Sequence, residues 1–279
     1  MKKILIFDGE FLMPISLEPI GTFFSKASYK YEVPRQGIFD GGRSGKIELF
    51  PHRGFENALR DISGFERLWL IFLFHQNKGW RATTRPPVPP RDHERVGIFA
   101  SRGPYRPNPI GLSCVKLVSA ERLALNVEDS DLLNGTPILD IKPYIPGADA
   151  FPNARAGWVD EQRLDGWDVS ATEEFIGQSA WLDSASGLDA LNFARCQLSV
   201  NPLDTTRRRV RVEASSRTAE LAFRTFRIDF SFDKNARKIL LKGIRSGYSV
   251  QELETPEDRY GDKPLHREFL LHFAQSPKA

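Results

Sequence analysis

Between Ser101 and Ser113 the chain reads Ser101-Arg-Gly-Pro-Tyr-Arg-Pro-Asn-Pro-Ile-Gly-Leu-Ser113, the densest gathering of chemically capable residues in its 279. Pro104, Pro107 and Pro109 each fix φ and push the preceding residue toward extended backbone, so a stiff loop is expected here. Arg102 and Arg106 offer planar, permanently charged forks suited to a carboxylate or a phosphate. Asn108 can donate and accept at once. Gly103 and Gly111 allow close backbone approach or positive φ. Such a loop is a candidate clamp for an anionic ligand. The plainer reading is a loop whose arginines pair with nearby acids.

Smaller clusters share this character. Pro34, Arg35 and Gln36 form a second stiff segment ending in polar donors. His75 and Gln76 follow an apolar run and are expected at a strand end, where a histidine is structural about as often as functional. In Leu139-Asp-Ile-Lys-Pro-Tyr144, Asp140 and Lys142 point the same way on an extended chain, which also fits a simple ion pair. On a strand through Thr205–Val212, Arg207, Arg209 and Arg211 share one face, a spacing that suits a phosphate backbone and equally a charged, solvated edge.

Other chemistries lack their signatures. No Gly-x-Gly-x-x-Gly opens a helix after a strand, and Gly41-Gly-Arg-Ser-Gly45 lacks the P-loop lysine and reads as a turn. There is no His-Glu-x-x-His. The two cysteines, Cys114 and Cys196, lie in apolar stretches and are expected to be buried free thiols. No metal site is expected.

The elements that must position these residues are mostly strands. Leu17–Ser25, Phe65–Phe74, Val96–Ser101, Ile110–Val118 and Leu123–Val127 are rich in branched, aromatic and leucine residues between Pro, Gly, Asn or charged breaks. One helix is expected after Pro51, with Phe55, Leu59 and Ile62 on one face and a stop at Gly64. Strands and long helices do not alternate, which argues against a parallel sheet and for a small barrel. Lys78 to Arg95 is a proline-dense loop, either a plain solvated connection or a flap over a site. Past Ala154–Asp165, a helix over Leu188–Leu198, strands at Val210–Glu213, Ala222–Phe232 and Lys238–Ile244, and a helix over Leu265–Phe273 suggest a smaller α+β domain. The fold class read from the sequence is therefore mainly β. A barrel domain over 15–156 precedes an α+β domain over 157–279, with Met1–Pro14 an extension ahead of both.

Hydrophobic residues make up 41% and charged residues 27%, with a net charge of +3, as in an ordinary globular protein. No run approaches the ~20 apolar residues of a membrane helix, and Ile4-Leu5-Ile6-Phe7 is too short for a signal-peptide core. A cytoplasmic, membrane-free protein is the expectation.

The order Pro34-Arg-Gln36, Pro51-His-Arg-Gly-Phe55, Phe72-Leu-Phe-His-Gln76, the Ser101–Ser113 string and Asp140-Ile-Lys-Pro-Tyr144 resembles the TsaA-like, or TrmO, family of tRNA adenine-N6 methyltransferases. The likeness spans about Leu17 to Val159 and continues more loosely to Phe273. It implies a β-barrel that binds S-adenosylmethionine and works as a homodimer. It also implies methylation of N6 on the threonylcarbamoyl-modified adenosine beside the anticodon of threonine tRNA. By residue match, the cofactor contacts would be Pro34, Arg35, Gln36, His75, Gln76, Arg102, Leu112, Leu139, Asp140, Ile141 and Lys142, with Asn108 in the clamp. Chemically, Arg102 or Arg35 suits the cofactor's carboxylate, Asp140 its ammonium, and Leu112 and Leu139 its adenine. Removing the N6 proton would help the reaction, and His75, Asp140 and Tyr144 are the candidate bases. Arg207, Arg209 and Arg211 are the candidate tRNA contacts. The family's Asp-Pro-Arg-Pro-Ala-Tyr string is replaced here by Asn201-Pro-Leu-Asp-Thr-Thr206. Two alternatives stay open: the same cofactor with another RNA or a small-molecule substrate, and a non-enzymatic nucleic-acid-binding barrel.

Overall fold

A computed structural model describes residues 3–8, 11–27, 44–86, 95–160, 166–199, 202–203, 209–213 and 217–274. The chain forms two compact units, 1–161 and 162–279. The first is built almost wholly of strands. β1 (Lys3–Asp8) and β2 (Phe11–Ser16) pair as an antiparallel hairpin. β3 (Gly21–Phe24), β4 (Gly45–Leu49), β5 (Arg67–Leu73), β8 (Ile110–Glu121), β9 (Ala124–Glu128) and β10 (Thr136–Pro143) close into a six-stranded barrel in the order β10-β3-β4-β9-β8-β5. Between them lie α1 (Phe55–Ala58) and the two-residue strands β6 (Thr83–Thr84) and β7 (Val96–Gly97), while α2 (Pro146–Asp149) follows the barrel.

Period-two alternation builds the barrel core. Leu68, Leu70 and Phe72 of β5 point inward and meet Phe23, Ile47, Val115, Leu125, Val127 and Ile138. A Cβ on Gly111 would lie 2.3 Å from the Phe72 ring. The glycine of the Pro-Ile-Gly string thus makes room for a core aromatic, and its φ is not positive. Several expected elements change. The run Val96–Ser101 is a two-residue strand followed by a 3-10 turn at Ile98–Ala100. The helix after Pro51 is a single turn starting beyond left-handed Gly54, and left-handed Asp61 separates it from a 3-10 turn at Ile62–Gly64. Cys114 and Cys196 are not joined in a disulfide and are only half-buried.

The second unit is a five-stranded sheet, β11-β15-β14-β13-β12. Its strands are β11 (Asp168–Ala171), β12 (Val210–Val212), β13 (Thr218–Phe223), β14 (Phe226–Asp233) and β15 (Lys238–Ser246). β11 runs parallel to β15, and the other pairs are antiparallel. The expected strand Ala222–Phe232 is instead a hairpin, turned at Arg224 with φ 50°. The helices are α3 (Glu173–Ser186), α4 (Ala190–Leu198), α5 (Val250–Glu254) and α6 (Lys263–Ala274). α3 packs on β15 and α6 on α3. Phe226, Ile228, Phe230, Leu241 and Ile244 face the helices and are buried, while alternate residues face away.

Candidate cofactor site on the barrel

Strand register gathers the barrel's chemistry at one end. β5 ends where β8 begins, with Leu73 opposite Ile110. β10 enters beside Phe72, β3 leaves beside Thr136, and β4 enters opposite Phe24. This rim carries His75 and Gln76, both exposed, just past β5, and the Ser101–Pro109 string just before β8. Asn108 is exposed in that string, and its carbonyl accepts from the Ile110 amide at 2.7 Å. Pro34, Arg35 and Gln36 lie outside the described residues.

The two arginines of the string have different roles. Arg106 donates to the Ile98 and Ser101 carbonyls at 3.0 and 2.8 Å and lies over the Phe99 ring, so it holds the loop together. Arg102 is exposed and makes no hydrogen bond or ion pair among the described residues. Its guanidinium is the one available to a ligand.

The barrel's outer wall supplies the rest. Alternation places Leu112, Ile71 and Asp140 in one outward row across β8, β5 and β10, and Cys114, Trp69 and Lys142 in the next. Leu112 is 55% exposed, unusual for a leucine on a strand paired on both sides. Leu139 sits at a bulge between Ile138 and Asp140, while Ile141 packs against the core. Asp140 accepts from the Ile141 amide and pairs with Lys142, each at 2.9 Å. Both side chains are about half exposed or more. The expected ion pair is present, on an open surface.

The three candidate bases do not converge. Tyr144 hydrogen-bonds by its amide to the Arg67 carbonyl and stacks obliquely on Trp69, at the far end of β5 from His75. At roughly 3.3 Å per residue the two lie on the order of 20 Å apart, too far to serve one atom. Asp140 sits between them with both oxygens engaged. His75 alone stands on the rim with Arg102.

Asp131 has no warning in the sequence. The segment after β9 continues beside β8, so Asp131 meets Ser113, whose hydroxyl donates to Oδ1 at 2.5 Å. Removal from water pushes the Asp131 carboxyl up to about 6, against the smaller opposing effects of the Ser113 hydrogen bond and the Arg102 charge. Asp131 thus brings a carboxyl that holds its proton to higher pH than usual against the last residue of the string, within the field of Arg102, which makes it a further candidate for the site.

The arginine row is less free than its spacing suggests. Arg207 lies outside the described residues. Arg211 stands directly opposite Glu220 on β13. Glu220 also takes Arg245, with Arg227 at 3.5 Å, and Arg245 reaches Asp229 at 3.1 Å. The outward face of this sheet is a mixed-charge lattice. Of Asn201–Thr206 only Pro202 and Leu203 are described, Pro202 being buried.

The model of the tRNA-methyltransferase O N-terminal domain matches residues 22–150, from β3 through α2 and so the whole barrel. A tRNA (adenine(37)-N6)-methyltransferase of Escherichia coli is 37% identical over 172 residues, covering 60% of this chain and 73% of that one. The chain belongs to the TrmO family. A Pyrococcus abyssi protein, described as a probable S-adenosyl-L-methionine-binding protein, is 40% identical over 147 residues, covering 53% of this chain and 77% of that one. The crystal structure of TrmO from Pseudomonas aeruginosa superposes with a TM-score of 0.61 at 29% identity, covering 84% of this chain and 99% of that one. The TrmO likeness therefore runs beyond the barrel into the second unit. The family's members are S-adenosylmethionine-dependent enzymes that methylate tRNA, and the mainly β fold with a closed barrel is theirs. Among the described residues no group of three or more His, Cys, Asp or Glu could hold a metal ion, and no helix is long and apolar enough to cross a membrane.

Proposed function

We propose that this chain methylates N6 of adenine 37 in tRNA with S-adenosylmethionine as donor, and that the modified base is threonylcarbamoyl-adenosine of threonine tRNA. The observation that carries the reading is the unpaired Arg102 guanidinium beside an outer wall bearing an exposed leucine and a carboxylate. Those groups match the cofactor's carboxylate, adenine and ammonium. When bound, S-adenosylmethionine supplies an electrophilic methyl group on a cationic sulfur.

Arg102 donates to the carboxylate as a charge-assisted fork. Asp140 releases part of its hold on Lys142 to accept from the ammonium, an inexpensive exchange for an exposed pair. Leu112 and Leu139 cover the adenine, and Gln76, Asn108 and the Pro34–Gln36 segment complete the polar contacts. Asp131 acts through Arg102, holding its charge toward the site. His75 takes the N6 proton, being the candidate base on the rim. Because Leu112 and its row lie on an outer surface, a second copy of the chain closes the site, giving a two-fold homodimer. A cytoplasmic location fits a tRNA substrate.

The test is incubation of the protein with S-adenosylmethionine and tRNA from cells lacking it, followed by nucleoside mass spectrometry. One methyl added to the threonylcarbamoyl-adenosine base supports the reading. Methylation of another nucleoside redirects the substrate, and cofactor binding with no methylated RNA overturns it.

A further inference from the structure

The rim bears a second feature beside the proposed cofactor site. Across 77–109 the chain carries Lys78, Arg81, Arg85, Arg91, Arg95, Arg102 and Arg106 against only Asp92 and Glu94. Both acids and Arg91 lie in 87–94, outside the described residues. The described part of this stretch therefore holds six cations and no carboxylate. It is an ordered platform. β6 pairs with β7, the Ile98 amide donates to the Ala82 carbonyl at 2.9 Å, and the Arg81 amide donates to the Tyr105 carbonyl at 3.1 Å.

Its cations divide by task. Arg95 bonds the Thr83 hydroxyl and carbonyl, Arg81 lies 4.7 Å over the Tyr105 ring, and Arg106 lies over Phe99. Lys78 and Arg85 are exposed and make no hydrogen bond or ion pair among the described residues. Beside them Trp80 is 56% exposed and Phe99 76%. Large aromatics left in water beside unpaired cations are what an unstacked nucleic-acid strand requires: rings for its bases and charges for its phosphates.

We infer that this rim platform receives the single-stranded loop of the tRNA substrate, with Trp80 and Phe99 stacking on loop bases and Lys78 and Arg85 on phosphates. The inference rests on the proposed tRNA methyltransferase reading and locates its RNA contact on the barrel. It gives Arg209 and Arg211 of the second unit a lesser part, because Arg211 stands opposite Glu220 on a face where acids and arginines are interleaved.

The experiment measures affinity of the full-length protein for an anticodon stem-loop and for a fully paired RNA duplex of equal length, at several salt concentrations. The variants are Trp80→Ala/Phe99→Ala, Trp80→Phe/Phe99→Tyr, Lys78→Ser/Arg85→Ser and Arg209→Ser/Arg211→Ser. Loss of both rings should weaken stem-loop binding about tenfold or more and remove the preference over duplex. The conservative aromatic pair should keep that preference. Loss of Lys78 and Arg85 should flatten the salt dependence, since fewer counterions are released. The second-unit pair should change either quantity less, and S-adenosylmethionine affinity should stay at the parent value throughout. Parent-like stem-loop binding by both rim variants would overturn the inference while leaving the function standing. So would a loss of binding that follows dissociation of a dimer in light scattering, since the rim would then be a self-contact. A parent protein that binds no tRNA would instead remove the functional reading itself.

Discussion

Asp131 in the barrel unit and His266 in the second unit are both titratable groups shifted by burial, and the two units treat them in opposite ways. In the second unit His266 is fully buried and stacked on Phe226, 3.8 Å between ring centres. Thr225 donates to Asp262 at 2.5 Å, so it accepts from His266 Nε2 at 2.9 Å, and Ser246 donates to Nδ1 at 2.8 Å. Tyr248 donates to the other Asp262 oxygen at 2.8 Å. Every proton in the chain has a place, and α6 is fixed to β14 and β15 through a neutral imidazole. In the barrel, Asp131 has one hydroxyl donor and a nearby arginine that does not pair with it. The second unit satisfies this buried network internally. The barrel leaves Arg102, Asp131, Leu112 and Trp80 unsatisfied or exposed, and that is where a ligand has something to gain.

The largest expected effect breaks the satisfied network. His266→Ala removes a stacked ring and takes one hydrogen-bond partner each from Thr225 and Ser246, so it should destabilise the second unit by roughly 3 kcal/mol or more. Hydrogen exchange would localise the loss to residues beyond 162; equal loss in the barrel would deny the division into two units.

Next is pH. Burial lowers the His266 imidazole to about 4, against a nearby attraction from Asp262. The unfolded imidazole takes its proton near 6.5, so the second unit should be fully stable above that pH. Its stability should fall by up to about 3 kcal/mol as pH drops from 6.5 through 4. For Asp131 the sign reverses. Its folded value is raised to about 6, so barrel stability should fall as pH rises from about 4 to 6 and stay reduced above. Asp131→Asn, which keeps an acceptor for Ser113, should therefore raise barrel stability at pH 7.5 by at most about 3 kcal/mol. Calorimetric melts of parent and variant from pH 4.5 to 7.5 read both slopes, and a destabilised Asn variant would show that the charge is structurally needed.

The smallest effect concerns Lys142. Its pair with Asp140 is exposed on both sides, so Lys142→Ala should change stability by less than about 1 kcal/mol. The same variant should still alter S-adenosylmethionine affinity if that row is the cofactor wall. An unchanged affinity would reduce the pair to surface decoration.

What was legible in the sequence follows the same contrast. β5 was readable because its apolar run is local and continuous, and the rim string because its residue types are rare together. α3 was hidden: its buried face includes Gln178 and Ser179 while Ile176 is exposed, so no apolar period appears. Gln178 is buried because its Oε1 accepts from the Ile244 amide at 2.5 Å. β4 begins on Gly45, the last residue of a glycine cluster that reads as a turn. The period Phe55, Leu59, Ile62 suggested a longer helix than left-handed Asp61 allows. Asp131 depends on Ser113, 18 positions away, and Arg211 on Glu220, set by a strand pairing. Partners brought together by register leave no trace in local spacing.

Arg102 is the barrel's proposed cofactor anchor. Calorimetric titration of S-adenosylmethionine into the parent and into Arg102→Ala tests it directly. Loss of a charge-assisted contact of roughly 1.5–3 kcal/mol predicts affinity reduced tenfold or more, with the fold unchanged by circular dichroism. Equal affinities for parent and variant would contradict it and move the cofactor away from the rim.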